Sequence, residues 1–577
     1  MKKKLKNQSI KSLYILGTIV VGTAMVAIAL NKSCNNKEKR LVDNIDKHNN
    51  YGDRQVYLIG GGLASMAAAV YLIRDCHFKG KNIHIFEGLK ILGGSNDGAG
   101  DSNKGYIIRG GRMLNEETYE NFWELLSTIP SLEMPGMSVT EEILNFDHLH
   151  PTHAQGRLVN KEGIIEDVSA MGFNTMDRMA LGKLMVTPED KLDNITIQQW
   201  FKHTPHFFTT NFWYMWQTTF AFQKWSSVFE FKRYMERMIF EFSRIETLEG
   251  VTRTTYNQYE SVILPLKVYL EDYGVNFNIN AKVTDLEFKE GEEIQVTKIY
   301  LYDHGEEKVI ELKSEDVCIM TNGSMTDNST LGDFKTPPEY DDSIPMSAEL
   351  WAKVASKKPG LGNPAPFFNN PSETNWESFT VTCRGNKLLK LIEKFSGNIP
   401  GSGALMTFKD SNWLMSIVVA AQPHFTNQPM DTTVFWGYGL YTFKEGNYVK
   451  KPMMKCTGEE ILVELLHHLH MENQISEIMD SVINVIPSMM PYIDSQFQPR
   501  KMKDRPYVVP KGSKNFAMIS QFVEIPEDMV FTEEYSVRGA RIAIYTLFNV
   551  TDKKIIPVTP YKKDPKVLKA ALKKAYT

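Results

Sequence analysis

The stretch QVYLIGGGLASMAAAVYLIRDCHFKGKNIHIFE, residues 55–87, decides the fold. Its apolar run Val56–Ile59 predicts a buried strand, three glycines and an alanine-rich helix follow, and a second apolar run ends on Glu87. In a βαβ unit of this kind the glycines let the backbone approach a pyrophosphate, the helix N-terminus stabilises its charge, and the acid binds a ribose hydroxyl. We therefore predict an α/β protein with a Rossmann-like, doubly wound domain. The residues predicted to bind its dinucleotide are Gly60, Gly62, Leu63, Ala64 and Glu87.

Two more glycine-rich segments follow this unit closely. They are LGGSNDGAG at residues 92–100 and GGRML at residues 110–114. A flavin dinucleotide is long, and the backbone must approach its ring as well as its phosphates, so glycine loops in this number favour a flavin over a plain nicotinamide cofactor. We predict FAD. The cofactor-binding residues predicted in these segments are Gly93, Gly94, Ser95, Arg112 and Met113.

The composition excludes several classes of protein. The chain has 577 residues, is 42% hydrophobic and has a formal net charge of -4, so it can form more than one domain and has no general attraction for nucleic acid. Its five cysteines lie far apart without a CxxC pair, which argues against a disulfide framework and a zinc site. Histidines cluster at 148–153 and 467–470 without an acid or cysteine at ligand spacing. We predict no metal site.

The N-terminal residues 1–34 differ from the rest of the chain. Lysines precede Ser12–Leu30, an uncharged apolar run that is just long enough to cross a bilayer at about 1.5 Å per residue. An uncleaved anchor is favoured over a cleaved signal peptide, because the run is long and no small-x-small cleavage site precedes the next basic residues. Basic residues at both ends leave the orientation open. We predict a membrane anchor in contact with lipid, a linker over 35–54, and a body on the cytoplasmic face.

The body divides by pattern into cofactor and substrate regions. Residues 195–242 have helical periodicity and many aromatic residues, which indicates helix core and the wall of an apolar pocket for a long hydrophobic ligand. Residues 336–375, rich in Pro, Asn and Ser, predict a long connection. The predicted domains are a cofactor domain over 55–140, 261–335 and 501–552, a mostly helical lid over 141–260, a substrate-binding β-sheet domain over 336–500, and a basic tail or helix over 553–577.

A series of motifs carries a specific resemblance. In order along residues 55–550 they are YLIGGGLAS, IFEGLKILGGSNDGAG, YIIRGGRM, NFWYMWQTTFAFQKW, KRYMERM, YNQYES, TNGSMT, SNWLMS, QPHF and FTEEYSVRGARIA. This series resembles the oleate hydratases, flavin-dependent enzymes once called myosin-cross-reactive antigen. The resemblance implies addition of water to a cis double bond of a free unsaturated long-chain fatty acid, with FAD required but without net redox chemistry. Members of the family often form homodimers.

The resemblance also implies roles for residues. An alkene is a poor base, so one group must protonate it while another activates water; the tyrosine of KRYM, here Tyr234, is the implied proton donor. The best-studied members have a glutamate as base after RGGR, where this chain has Met113. The carboxylates that remain as candidate bases are Glu116, Glu117, Glu120 and Glu230.

Other positions match the family in part. Two of four implied head-group ligands are kept, Gln258 and His424, whereas Val418 and Ala420 stand at the other two. Their loss predicts weaker or altered recognition of the fatty-acid carboxylate, and an altered lipid substrate stays open. The late strand–loop–helix after residue 516 is predicted to return to the cofactor domain and to cap the flavin. The further cofactor-binding residues are Asn322, Gly323, Ser324, Gln521 and Phe522.

Two alternatives to a hydratase stay open at this point. One is a flavin-dependent double-bond isomerase or desaturase-like oxidoreductase on the same scaffold. The other is a non-catalytic membrane protein that binds FAD and lipid, which the substitutions at Met113, Val418 and Ala420 together favour.

Overall fold

The computed structural model describes residues 51–96, 98–111, 113–402 and 405–577. The predicted N-terminal segment 1–34, most of the predicted linker, and Arg112 lie outside these residues. The elements below are those of the described part of the chain.

The strands are numbered in chain order. They are β1 (Val56–Ile59), β2 (Ile83–Glu87), β3 (Ala99–Asp101), β4 (Gly105–Ile107), β5 (Leu114–Asn115), β6 (Leu158–Val159), β7 (Val251–Thr252), β8 (Asn276–Ile279), β9 (Ala281–Phe288), β10 (Val296–Asp303), β11 (Glu306–Glu311), β12 (Val317–Thr321), β13 (Thr330–Leu331), β14 (Trp376–Arg384), β15 (Met406–Phe408), β16 (Met415–Val418), β17 (Thr432–Gly439), β18 (Val482–Met490) and β19 (Phe516–Ile519).

The α-helices are numbered in the same way. They are α1 (Leu63–Cys76), α2 (Glu120–Leu126), α3 (Val139–Leu149), α4 (Thr175–Val186), α5 (Ile197–Trp200), α6 (Asn211–Phe220), α7 (Val228–Arg237), α8 (Leu264–Asp272), α9 (Met346–Lys357), α10 (Ala365–Phe368), α11 (Pro371–Thr374), α12 (Lys387–Ser396), α13 (Gly458–His468), α14 (Ile475–Met479), α15 (Glu533–Leu547) and α16 (Pro565–Ala575).

A parallel sheet carries the glycine motif. Its strand order is β19–β12–β1–β2–β8, and Val56 pairs with Ile83 on one side and with Val317 on the other. Strands β1 and β19 are buried throughout, as their apolar runs VYLI and FAMI require in a parallel sheet covered on both faces. Helix α15 packs on α1 and on β19. The predicted α/β class is therefore confirmed, with the glycine turn at the carboxyl end of β1.

A second, seven-stranded sheet lies beside the first. Its order is β13–β18–β14–β17–β16–β15–β6, and β14 pairs antiparallel with both β17 and β18 along its length. The β3–β4 hairpin packs against this sheet, because the backbone N–H groups of Tyr106 and Ile108 donate to the hydroxyls of Thr382 (3.0 Å) and Thr380 (2.9 Å). The hairpin that follows the second glycine loop thus packs on the seven-stranded sheet.

The region of residues 195–242 is helical, as its periodicity predicts. Helices α5 to α7 bury an aromatic cluster in which the Phe201 and Phe207 rings stack with centroids 3.8 Å apart. The expectation of a long connection over residues 336–375 was wrong. Helices α9 to α11 lie there, and the buried Trp351 indole donates to the Leu361 carbonyl at 2.7 Å. The apolar residues of MSAELWAKVASK have helical spacing and pack inward. The prolines on either side of this segment favoured the prediction of a loop.

The prediction of a membrane-anchored protein has to be corrected. Within residues 51–577, wherever the chain is described, no helix is long and apolar enough to span a bilayer. The predicted span Ser12–Leu30 lies outside the described residues. The apolar helices that are described bury their side chains against other parts of the protein, as α1 does.

Candidate active site

The β1–α1 turn is built from glycine for steric reasons. Gly60 has a φ of +102°, and a Cβ there would lie 2.7 Å from the hydroxyl of Thr321 at the end of β12. The N–H of Gly61 donates to Oε2 of Glu87 at 2.8 Å. Helix α1 begins directly after Gly62 without a side-chain cap. The turn therefore presents bare backbone and the positive end of a helix dipole at the carboxyl edge of the sheet.

The second glycine loop packs directly on this turn. The N–H of Gly93 donates to the carbonyl of Gly61 at 2.9 Å. Gly94 has a φ of +62°, and a Cβ there would lie 3.2 Å from the Cα of Gly62. A Cβ at Gly62, by contrast, would meet only the backbone of Gly94, at 3.7 Å or more. The two loops approach each other without side chains and leave open space beside Gly62.

A cavity of about 440 Å³ opens at this point. It is within the size range of about 300–1,000 Å³ that is typical of ligand sites. Most of the predicted cofactor residues line it: Gly60, Gly62, Leu63, Ala64, Glu87, Gly93, Gly94, Ser95, Gly323, Ser324 and Gln521. Asn322 and Phe522 lie beneath the wall, where the Asn322 side chain donates to the Phe522 carbonyl at 3.2 Å. Met113 lies in a different cavity.

Sequence reasoning missed other groups in this cavity. Asp327 and Ser347 line it, and the Ser347 hydroxyl donates to the Asp327 carboxylate. Burial raises the pKa of Asp327 to about 6, although the hydrogen bond from Ser347 opposes the shift. The side chain of Arg109 also lines the cavity and donates to the Gly94 carbonyl at 2.9 Å. Arg109 lies within the motif YIIRGGRM and Asp327 directly follows TNGSMT, whereas Ser347 belongs to no motif. Only the fold brings the three side chains together at the glycine loops.

A smaller and mostly apolar cavity, of about 80 Å³, lies next to the first. The two share Phe531, Thr532 and Glu533 as a common wall. Phe531 has a φ of +70°, a left-handed conformation that costs energy for a bulky residue. Both Tyr234 and Met113 line the apolar cavity. The fold thus places the implied proton donor beside the glycine-lined cavity.

Tyr234 is buried on α7 among aromatic rings. Phe220 and Phe222 lie 5.1 Å from its ring, and its hydroxyl donates to the Val530 carbonyl at 2.5 Å. Burial raises the pKa of Tyr234 well above its ordinary value, and the neighbouring Tyr119 adds to the shift. The phenol therefore carries its proton at every pH at which proteins are usually studied, and it can act only as a donor there.

None of the predicted candidate bases lines the apolar cavity. Glu116 lies on the surface near His148, and Glu117 accepts a hydrogen bond from Arg244 at 2.7 Å. Glu120 is paired with Arg237 at 2.6 Å. Glu230 is buried in an ion pair with Arg500 at 3.0 Å. The sequence does not show these partners, and the four carboxylates lie outside the cavity that contains Met113.

The carboxylates that do line the cavity are Glu241 and Glu533. Glu241 accepts hydrogen bonds from Asn115 (3.1 Å) and from Arg244 (3.0 Å, to Oε2). Burial raises the pKa of Glu241, against the effect of Arg244. The sequence held only a partial signal: Tyr234, Met238 and Glu241 have the i, i+4, i+7 spacing of a helix face, but α7 ends at Arg237 and Glu241 begins a separate helical turn. Glu533 begins α15 and accepts a hydrogen bond from Asn96 at 2.5 Å.

The residues predicted at the head-group site do not all lie together. Gln258, His424 and Ala420 line a third small cavity, whereas Val418 does not. Burial lowers the pKa of His424 to about 4, and Arg253, in the same cavity, adds to the shift. The imidazole is therefore neutral at pH 7. Gly111 and Trp436 belong both to this cavity and to the apolar one.

The fold and the cavities define a class of protein. It is an α/β protein in which glycine loops line a cavity at the carboxyl edge of a parallel sheet, next to a buried apolar cavity that contains a tyrosine. The chain belongs to the MCRA family, whose sequence profile matches residues 53–545. The predicted family resemblance is confirmed.

Two relatives match most of the chain. A linoleate hydratase of Lactiplantibacillus plantarum is 42% identical over 560 residues, which cover 90% of this chain and 98% of that protein. An oleate hydratase of Streptococcus pyogenes serotype M49 (strain NZ131) is 38% identical over 509 residues, which cover 86% of this chain and 85% of that protein. Among solved structures, a CLA-producing fatty acid isomerase from P. acnes aligns at 12% identity with a TM-score of 0.45, over 85% of this chain and 98% of that one. A similarity this low says nothing about the chemistry of the present chain.

Proposed function

We propose that this protein hydrates a cis double bond of a free unsaturated long-chain fatty acid such as oleate or linoleate, and that it forms a hydroxy fatty acid. The observation that carries the proposal is the phenol of Tyr234 in a mostly apolar cavity, on a chain that is 42% identical to a linoleate hydratase over 90% of its length. An alkene chain requires such an apolar site, and its protonation requires a positioned acid.

We propose FAD as the cofactor. The cavity of about 440 Å³, the space left beside Gly62 and the N-terminus of α1 fit a dinucleotide phosphate, and Glu87 stands where an acid reaches a ribose. When bound, FAD would stabilise charge that develops in the site without net electron transfer, since hydration is not a redox reaction overall. The predicted cavity-lining residues from Gly60 to Gln521 would hold it.

Proton transfer is assigned to this chain's own residues. The hydroxyl of Tyr234 gives up its bond to Val530, donates its proton to one alkene carbon, and water attacks the other carbon. A carboxylate accepts the proton that the water loses, so that H and OH are added and no charge is left on the product. The carboxylic acid then loses this proton to solvent and the Tyr234 phenolate takes one up from solvent, which restores both groups for the next cycle.

We assign water activation to Glu241 in place of the family glutamate that Met113 replaces. Glu241 lines the same cavity as Tyr234, and its raised pKa makes it a stronger base than an exposed carboxylate. Glu533 is the second candidate, but it also borders the glycine-lined cavity and is held there by Asn96. The thioether of Met113 cannot accept the proton.

Incubation in oxygen-labelled water tests the proposed function. Purified protein with FAD is given oleate and, separately, linoleate, and the products are analysed by mass spectrometry. A hydroxy acid that carries the label is the expected result. A shifted double bond without label would instead indicate an isomerase. Recovery of both acids unchanged would exclude hydration of these substrates.

Replacement of Tyr234 by Phe tests the proton donor. We expect turnover to fall by about 100-fold or more, because positioned acid catalysis is typically worth about 10²–10⁴. Flavin absorbance should be retained, because the ring still packs against Phe220 and Phe222. Tyr302→Phe, at an exposed tyrosine on β10, is the matched control and should be neutral. Full activity of Tyr234→Phe would remove this residue from the mechanism.

A further inference from the structure

Arg253 is a buried cation that the chemistry above does not use. It follows β7, and its backbone N–H donates to Oδ1 of Asp147 at 3.1 Å. Its side chain reaches the same small cavity as Gln258 and His424. The family motifs did not single it out, because it lies three residues before YNQYES.

The guanidinium of Arg253 has unmet hydrogen-bonding capacity. Its Nε and Nη2 are closed to solvent and have no hydrogen-bond partner among the described residues. Burial lowers the pKa of Arg253 to about 10, with Asp147 opposing the shift, so the group still carries its charge at pH 7. A buried charge without a partner is strongly unfavourable. Such a site favours an anion that enters from outside.

The donors that line the cavity suit a planar anion. Its free space of about 20 Å³ is enough for roughly one water-sized group, so it takes one carboxylate oxygen, and the lining side chains must move apart to admit the rest of the group. A guanidinium presents its N–H donors in a rigid fork that matches the two oxygens of a carboxylate. His424, neutral at pH 7, and Gln258 offer further N–H donors in the same cavity.

The cavity also leads toward the proposed reaction site. Gly111 and Trp436 border it and the apolar cavity that contains Tyr234. A Cβ at Gly111 would lie 2.9 Å from the Trp436 ring, so glycine lets these two walls meet closely. A ligand with its charged end at Arg253 would pass these residues with its apolar chain. That arrangement places a head group and a tail in cavities of matching polarity.

We infer that Arg253 binds the carboxylate of the fatty acid and makes the protein selective for free acids over their esters and alcohols. The inference rests on the proposed function for the identity of the ligand. It also explains how the chain recognises a carboxylate although Val418 and Ala420 supply no side-chain donors: one charged group takes the place of two neutral ones. Arg253 is thus a specificity-determining residue, and it takes no part in proton transfer.

Arg253→Met tests this inference, by equilibrium binding and by kinetics on the FAD-loaded protein. Wild type should bind oleate at least 10-fold more tightly than methyl oleate or oleyl alcohol. In the variant, oleate affinity should fall by about 10- to 100-fold while affinity for the ester and the alcohol stays within about 2-fold. KM for oleate should rise by a similar factor, with kcat changed much less. Arg253→Lys should restore part of the preference, because it keeps the charge but loses the fork.

Arg384→Met, at an exposed arginine that ends β14, is the matched control and should bind oleate like wild type. Equal binding of oleate by Arg253→Met and wild type would overturn the inference, as would a wild type that does not distinguish oleate from methyl oleate. If Arg253→Met does not fold, the ligand affinities of Arg253→Lys and of wild type still test the inference. Selective binding of oleate through Arg253 without any hydration would instead refute the proposed function and leave this inference standing.

Discussion

At the scale of residues, the site is defined by how burial changes ionisation. Burial raises the pKa of Tyr234, so the phenol stays protonated, and it raises the pKa of Glu241, so this carboxylate is more basic than usual. Both groups line one cavity. The raised pKa keeps the phenol protonated but also makes it a weaker acid, so its proposed role as proton donor depends on its position and on stabilisation of the developing charge. Arg244 holds Glu241 in place and also contacts Glu117, a residue that the sequence proposed as the base itself.

The pH dependence of turnover tests the role of Glu241. A base must be ionised to work, so activity should fall as the pH drops through its pKa, which burial sets above the ordinary value. Tyr234 should add no loss of activity on the alkaline side within the stable range, because its pKa is far higher. Glu241→Gln should lower kcat by about 100-fold and remove the acid limb. Glu117→Gln, which removes a charge that raises the pKa of Glu241, should shift the limb to lower pH. An unchanged profile in Glu241→Gln would exclude it as the base.

At the scale of elements, glycine has two different uses in the β1–α1 turn. Gly60 is required by the fold, since its positive φ and the nearby Thr321 leave no room for a Cβ. Gly62 is not required by the described structure, because a Cβ there would meet nothing closer than 3.7 Å. We therefore propose that the absence of a side chain at Gly62 makes room for the phosphate of a dinucleotide.

A pair of substitutions separates these two uses. Gly62→Val should leave the melting temperature of the flavin-free protein within about 2 °C of wild type while it weakens FAD binding by about 10-fold or more, as measured by flavin fluorescence titration. Gly60→Val should destabilise the protein itself by about 2 kcal/mol or more, because a branched side chain is forced into a left-handed conformation against β12. Normal FAD affinity in Gly62→Val would show that the open space is not the phosphate site.

At the scale of the whole molecule, buried ion pairs hold the helix of Tyr234 to residues 500–528. Along α7, Arg233 binds Glu524 at 2.7 Å and Arg237 contacts Asp528 at 3.3 Å. Glu230, on the same helix, binds Arg500 at 3.0 Å, and both side chains are fully buried. These contacts join the helical region to the segment that leads into α15. They fix Tyr234 relative to the wall that the two cavities share.

Glu230→Gln tests the contribution of these buried ion pairs. Loss of one partner of a buried pair is expected to destabilise the protein by about 3–5 kcal/mol. The size of this loss should not depend on the salt concentration, because salt screens buried charges only weakly. Burial alone would raise the pKa of this carboxyl, but Arg505 and Arg500 lower it. Its contribution is therefore present above the ordinary pKa and is lost as the pH falls through the lowered one. Glu459→Gln, which breaks an exposed pair with Lys335, should cost less than about 1 kcal/mol. An equal loss of melting temperature in Glu230→Gln and Glu459→Gln would contradict a stabilising role of the buried pairs.

The sequence by itself determined the class of fold, the glycine turn, the tyrosine on α7 and the family, because each depends on residues that are close together in the chain. The tertiary structure alone decided which carboxylates meet Tyr234. Glu116 and Glu120 are near Met113 in sequence and Glu230 is one helical turn before Tyr234, yet none of the three lines the cavity, and each is exposed to solvent or held in an ion pair. Only the tertiary structure reveals Arg253 as a candidate ligand-binding residue. Its Nε and Nη2 lack hydrogen-bond partners in the described part of the chain, and this depends on all the residues that pack around the side chain, which no local sequence pattern shows.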